Sequence, residues 1–227
     1  MRKTLSVIAA SVVCAIGFSN TAMAEEKSGL FVGVHGGVSL FSISMQGANG
    51  DRFPDSAVNA IFGDTMATTF NVGANVGYQH FFIPLVGVRG YLGYDFNGSR
   101  KISNTFANGN LSFQNITLNV DAMLNFLNLD SFSLGAYVGF GLGYGIMGVS
   151  GDQALVDFFN NGYNYNGFNI PINVGISATF AESHRVEIGA KIQALSAQAT
   201  PKGISSNDKS GIFLNTHVIH LGYSYIF

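Results

Sequence analysis

Phe70-Asn71-Val72-Gly73-Ala74-Asn75-Val76-Gly77-Tyr78-Gln79 places an apolar side chain at every even position and Asn, Gly or Gln at every odd one. Successive residues of a β-strand point to opposite faces, so this run has one greasy and one polar side. The pattern recurs in 86–96, where Val86, Val88, Leu92, Tyr94 and Phe96 oppose Arg89, Tyr91 and Asp95, and in 115–126, where Ile116, Leu118, Val120, Leu124 and Phe126 oppose Asn115, Thr117, Asn119, Asp121 and Asn125. Each is a strand that must meet an apolar medium on one side only.

Four further segments carry the same period. Residues 30–41 group Leu30, Val32, Val34, Val38 and Leu40; 132–146 oppose Leu134, Val138, Phe140, Leu142 and Tyr144 to glycines 135, 139, 141, 143 and 145. Residues 170–180 oppose Ile170, Ile172, Val174, Ile176 and Phe180 to Asn173, Gly175, Ser177 and Thr179, and 186–194 oppose Val186, Ile188 and Ile192 to Glu187, Gly189, Lys191 and Gln193. The chain ends Leu221-Gly222-Tyr223-Ser224-Tyr225-Ile226-Phe227, with His217, Ile219, Leu221, Tyr223, Tyr225 and Phe227 on one face. About eight strands result, each near the 9–11 residues that a tilted membrane strand needs.

The connections alternate. Long polar ones are expected at 42–68, 97–110, 147–167 and 196–210, and short ones at 80–84, 127–131 and 181–184. Outer-membrane barrels have this asymmetry, with long loops outside and tight turns in the periplasm. Phe81, Phe82, Phe126, Phe132, Phe180, Tyr225 and Phe227 fall beside the short turns and are expected to form the periplasmic aromatic girdle.

Composition and the N-terminus agree with this reading. Met1-Arg2-Lys3, an apolar stretch over 4–17 and Ala22-Met23-Ala24 predict a secretory signal peptide cleaved after Ala24, which leaves a single domain over 25–227. Cys14, the only cysteine, leaves with it, so cysteine-based metal or redox chemistry and a disulfide-stapled fold are excluded from the mature chain. Loss of Arg2 and Lys3 leaves 9 Lys and Arg against 13 Asp and Glu, a formal charge of −4 without the basic face that nucleic acid requires. Charged residues make up only 11% of the chain, against roughly 25% in soluble domains. After the signal no apolar stretch is long enough for a spanning helix, so the structure able to satisfy its backbone in lipid is a closed barrel. The expected fold is all-β, an eight-stranded antiparallel up-and-down transmembrane β-barrel.

Arg89-Gly90-Tyr91-Leu92-Gly93-Tyr94-Asp95-Phe96, Phe168-Asn169-Ile170-Pro171-Ile172-Asn173-Val174-Gly175, His184-Arg185-Val186-Glu187-Ile188-Gly189-Ala190-Lys191-Ile192 and the closing strand resemble the Helicobacter-type outer membrane protein family. The resemblance implies a β-barrel in the outer membrane of a Gram-negative bacterium. Its terminal aromatic strand, Tyr223, Tyr225 and Phe227, is similar to the signal read by the barrel-insertion machinery. Larger members are porins or adhesins with a big extracellular domain, for which this chain lacks room.

Arg89, Asp95, Asp121, Glu187 and Lys191 all fall on predicted lumen faces, where buried charges need partners. Arg89 and Asp121 sit at similar depth on adjacent strands and are expected to pair. Glu187 and Lys191 are expected to join the same cluster from across the lumen. Eight strands leave an interior filled by side chains, so the lumen is expected to be plugged by this polar network. The glycines at 139, 141, 143 and 145 are spaced by two and do not make a dinucleotide fingerprint; they are expected to leave space for Tyr91, Tyr137 or Arg89.

No cofactor or metal is expected. The five histidines give no His-x-Ser arrangement, and His217 and His220, three apart on a strand, point to opposite faces. The preferred reading is a non-enzymatic structural or surface-interaction protein working through its outer loops, where Phe158, Phe159, Tyr163 and Tyr165 either pack on one another over the barrel rim or, as the loop contact candidates, meet a partner in an adhesive role. Its expected partners are outer-membrane lipid and lipopolysaccharide, the insertion machinery during assembly, and a host or cell-surface ligand. The rival readings are a narrow solute channel and an outer-membrane lipid hydrolase.

Overall fold

The computed structural model describes residues 27–103, 108–164, 166–203 and 208–227. The predicted signal peptide and Tyr165 lie outside the described residues. The chain forms β1 (Gly29–Gln46), α1 (Asp55–Phe62), β2 (Met66–Ile83), β3 (Val86–Ser103), β4 (Asn108–Leu129), β5 (Phe132–Gly151), α2 (Gln153–Gly162), β6 (Tyr163–Asn164), β7 (Asn166–Phe180), β8 (His184–Leu195), β9 (Ala197–Pro201) and β10 (Gly211–Ile226). Eight long strands pair in the order β1-β2-β3-β4-β5-β7-β8-β10, and β10 pairs back onto β1 from Phe31↔Ile226 to Gln46↔Gly211. The expected eight-stranded barrel is therefore closed. Its last peptide completes the ring, with the Phe227 N–H donating to the Leu30 carbonyl at 2.9 Å.

The alternation read from the sequence divides wall from lumen. Leu118 and Leu142 are each 62% exposed on the outer wall, whereas Gln79 and Asp121 are 0% exposed inside. On β5 the lipid-facing row runs from Leu134 to Tyr144, a span matched to a tilted membrane strand. Tyr223, Tyr225 and Phe227 all face outward at the short-turn end, where Tyr225 and Phe227 meet edge to face. Phe81 does not join them. It is on the odd, inward parity of β2 and packs with Met123 and Tyr137 at the floor of the lumen.

The strands continue well beyond the membrane span. Residues 97–110, expected as a loop, are instead mostly the extended ends of β3 and β4, paired as far as Ser103↔Asn108. The stretches 42–68 and 147–167 each hold a helix, and 196–210 holds β9, which extends the sheet along β10. The reason lies in the medium. Above the lipid the outside is water, so the apolar residues switch to the inward face: Phe41, Ile43, Ile102, Leu111, Phe113, Met147, Ile212 and Leu214 are buried, while Asn110 is exposed. A bulge between Asn97 and Arg100 shifts the parity of β3 so that Ile102 points in.

Two helices cover this upper core. α1 starts with Asp55, whose charge suits the positive end of the helix dipole, and stops at Gly63, which takes φ 77°. It buries Val58 and Phe62. α2 buries Leu155 and Phe159. The Phe62 and Phe159 rings meet 6.3 Å apart over the lumen.

Candidate functional site

Inside the membrane span the lumen holds two ion-pair clusters. Arg89 and Asp121 face each other in the β3–β4 register, and Arg89 Nε donates to Asp121 Oδ2 at 2.9 Å. Arg89 Nη1 also reaches across to Glu187 Oε1 at 2.5 Å. The guanidinium lies between two rings, 4.3 Å from the centre of Tyr137 and 5.2 Å from that of Tyr91, close enough for cation–π attraction. Gly175 and Gly189 bare the wall beside Tyr137, since a Cβ at either would collide with its hydroxyl.

The second cluster stands nearer the outside. Asp95 accepts from Lys191 Nζ at 2.6 Å and from His35 Nε2 at 2.7 Å, with Asn71 Nδ2 donating at 3.3 Å. Glu187 and Lys191 thus serve separate clusters rather than a single one: four residues apart along β8, they reach Arg89 and Asp95, which lie six residues apart on β3. The His220 ring lies 5.0 Å from that of His35, tilted by 50°, and stands between the two clusters. Arg185 is buried on the same face of β8. With it, the membrane-level lumen holds three cations (Arg89, Arg185, Lys191) and three carboxylates (Asp95, Asp121, Glu187), so the interior carries no net formal charge from these groups.

Amides fill the space between. Asn115 and Asn169 exchange two hydrogen bonds at 3.1 and 2.9 Å, and Asn173 Nδ2 donates to Asn119 Oδ1 and Asp121 Oδ1 at 3.0 and 3.1 Å. The glycines of β5 make room for these groups: Gly139 lies against Asp121, Gly141 against Asn119, Gly143 against Asn115 and Asn169, and Gly145 against Phe113. They do not serve Tyr91, Tyr137 or Arg89 as the sequence reading expected. Tyr137 is on the same strand as these glycines and leans toward β7 and β8, while Tyr91 lies over Gly77. A small void of about 20 Å³ lies among Arg89, Glu187, His35 and His220, with room for about one water.

Directly above the polar network lies the apolar plug formed by the upper core and the two helices. Of the loop contact candidates, Phe159 is fully buried in this plug and is not available to a partner. Its neighbour Phe158 is 45% exposed and touches Tyr163 at 5.2 Å between ring centres. Tyr163 itself packs partly against the plug, and that burial raises its phenol above its ordinary value, keeping it neutral. His217 and His220 do point to opposite faces, with only His220 in the lumen.

His35, His220 and Arg185 are network members that the sequence reading passed over. Their inward parity is readable from the sequence, and for Arg185 the signal is Glu187 two residues on, on the same face.

The sequence matches the model of the Helicobacter outer membrane protein family over residues 73–227. The chain belongs to that family. It is an outer-membrane protein, and the apolar wall of its barrel faces lipid. Among solved structures it is similar to the outer membrane protein OprG of Pseudomonas aeruginosa, at 14% identity over 89% of this chain and 99% of that one, with a TM-score of 0.49. It is also similar to the Neisserial surface protein NspA, at 12% identity over 88% and 98% and a TM-score of 0.47, and to the Escherichia coli outer membrane protein W, at 14% over 91% and 100% and a TM-score of 0.43. No curated protein matches the chain.

Proposed function

We propose that this outer-membrane family member is a sealed, non-conducting and non-catalytic barrel that acts at the cell surface through its outer cap. The observation that carries the reading is the stacking of an apolar plug on a charge-balanced polar network in one lumen. A solute would have to cross both. The titratable lumen groups lie beneath the plug, out of reach of an outer-leaflet substrate. The cap offers Phe158 and Tyr163 as the surviving aromatic contact surface for a host or cell-surface ligand. Tyr223, Tyr225 and Phe227 serve earlier, as the signal for insertion, and their outward clustering at the periplasmic edge supports that role.

Planar-bilayer recording tests the seal. Refolded protein is expected to add no unitary steps, and steady single-channel steps whose selectivity changes with Arg89→Ala would overturn it. Deacylation of lipopolysaccharide or phospholipid by the same preparation would overturn the non-catalytic part.

A further inference from the structure

A polar cleft at the outer rim of the barrel lies outside the lumen network and touches the plug through Tyr163. It is lined by Tyr144, Asn160, Tyr163, Asn164, Asn166 and Lys202 and has a volume of about 420 Å³, within the range of small-molecule sites. Four elements and the turn after β9 build it. Tyr144 ends the lipid-facing row of β5, and Asn166 begins β7 opposite Ile146. Asn160 comes from the last turn of α2. The pairing of Tyr163 with Pro201 and Asn164 with Thr200 then brings Lys202 alongside, where its N–H donates to the Gly162 carbonyl at 2.8 Å and its Nζ to the Asn160 carbonyl at 2.5 Å.

The lining is chemically one-sided. Among the described residues its polar side chains are amides, phenols and an ammonium, with no carboxylate. Amides and phenols both donate and accept, which suits a ligand rich in hydroxyls, while the remaining ammonium hydrogens of Lys202 suit a phosphate or carboxylate. Height adds the second constraint. Tyr144 marks the upper limit of the lipid-facing wall, and beside it Phe168 is 76% exposed, with the two rings 5.4 Å apart. Immediately below, Leu142 and Phe140 present bare apolar wall. A molecule filling the cleft therefore has an anionic, hydroxylated head at the membrane surface and hydrocarbon beneath it.

We propose that this cleft binds the anionic saccharide headgroup of an outer-leaflet glycolipid, whose acyl chains descend over Phe168, Leu142 and Phe140. The inference rests on the outer-membrane placement of the barrel and not on its being sealed, so a conductance result leaves it standing.

The full chain refolded into phosphatidylcholine nanodiscs containing a lipopolysaccharide with truncated core sugars would be released into the gas phase and weighed by native mass spectrometry. Wild type is expected to retain the glycolipid. Lys202→Ala removes a charge-assisted contact and is expected to lower its occupancy about tenfold. Asn166→Asp, at an exposed position, sets a carboxylate against the anionic head and is expected to act in the same direction. Lys101→Ala, which deletes an exposed lysine on β3, is expected to change nothing. Heat-modifiable migration certifies that each variant has folded.

Equal retention by wild type, Lys202→Ala and Asn166→Asp would overturn the site. Displacement of the glycolipid by phosphatidylglycerol at equal concentration would overturn the saccharide assignment. Binding of the deacylated core oligosaccharide as tightly as the intact glycolipid would overturn the membrane-borne source in favour of a soluble glycan.

Discussion

The lower and upper halves of this lumen are lined by the same strands yet are held together by opposite chemistry. At membrane level the wall outside is apolar and the interior is a network of ion pairs and amides around Arg89, Asp95 and Asn115. Above the membrane the interior is the apolar cluster around Phe41, Phe113 and Phe159, and the outer face is polar. What differs is the medium outside. A strand residue that may face lipid is free to be Leu or Val, so the polar residues are left for the inside; in water the preference reverses. The lower half depends on paired ions and amides, the upper half on filled volume.

Breaking the lower half is expected to give the largest effect. Arg89→Ala strands Asp121 and Glu187 in a closed interior and should destabilise the barrel by about 3–5 kcal/mol, the range for removing one member of a buried pair. The denaturant midpoint of heat-modifiable migration reads it directly. If the shift matches that of a surface substitution such as Lys101→Ala, the network is not what holds the lower half.

In the upper half, Phe159→Ala leaves a cavity and should weaken the docking of α2 by about 3 kcal/mol or more. The expected outcome is local. Proteases should cut within 153–162 faster than in wild type, while the folded band on a detergent gel persists, because β1–β10 closure does not pass through the helix. Loss of the folded band would mean that the two halves are not separable.

A subtler comparison uses the reciprocal amide pair. Asn115→Leu alone strands Asn169 and should cost about 1–3 kcal/mol, whereas Asn115→Leu with Asn169→Leu should cost clearly less than the sum of the singles. Simple additivity in a double-mutant cycle would show that the amides act as space-filling groups.

The smallest effect is expected at the tight turn between β7 and β8. Ala181 and Glu182 take φ 48° and 60°, and Ser183 N–H donates to the Phe180 carbonyl, the geometry of a type I′ turn without its favoured residues. Replacing Ala181-Glu182 by Asn-Gly should stabilise the folded barrel by about 1 kcal/mol, seen as a modest rise in the same midpoint. A fall would show that the Ala181 N–H bond to the Ser131 carbonyl depends on these side chains.

The membrane-level barrel was legible because period two is visible residue by residue and lipid tolerates no exceptions on the outer face. Phe70, Val72, Val76 and Tyr78 all face out as their parity demands. The upper extension was not legible in the same way. There the outward positions are Ser42, Ser44 and Asn110 and the inward ones are Phe or Ile, so the segments read as polar loops; the bulge at Asn97/Arg100 further broke the count. Phe159 looked like a loop aromatic because nothing local shows that α2 turns its face into a barrel mouth.

The sequence by itself determined the strand type, the wall and lumen faces, the short and long ends and the Arg89–Asp121 alignment, since each depends on parity or on one hairpin. Only the tertiary structure decided that Arg89 meets Glu187, that Asp95 takes Lys191 and His35, and that two helices from different loops share one plug. Those contacts join residues across a closed ring. Their distances are set by closure and by the tilt of all eight strands together, which no local pattern encodes.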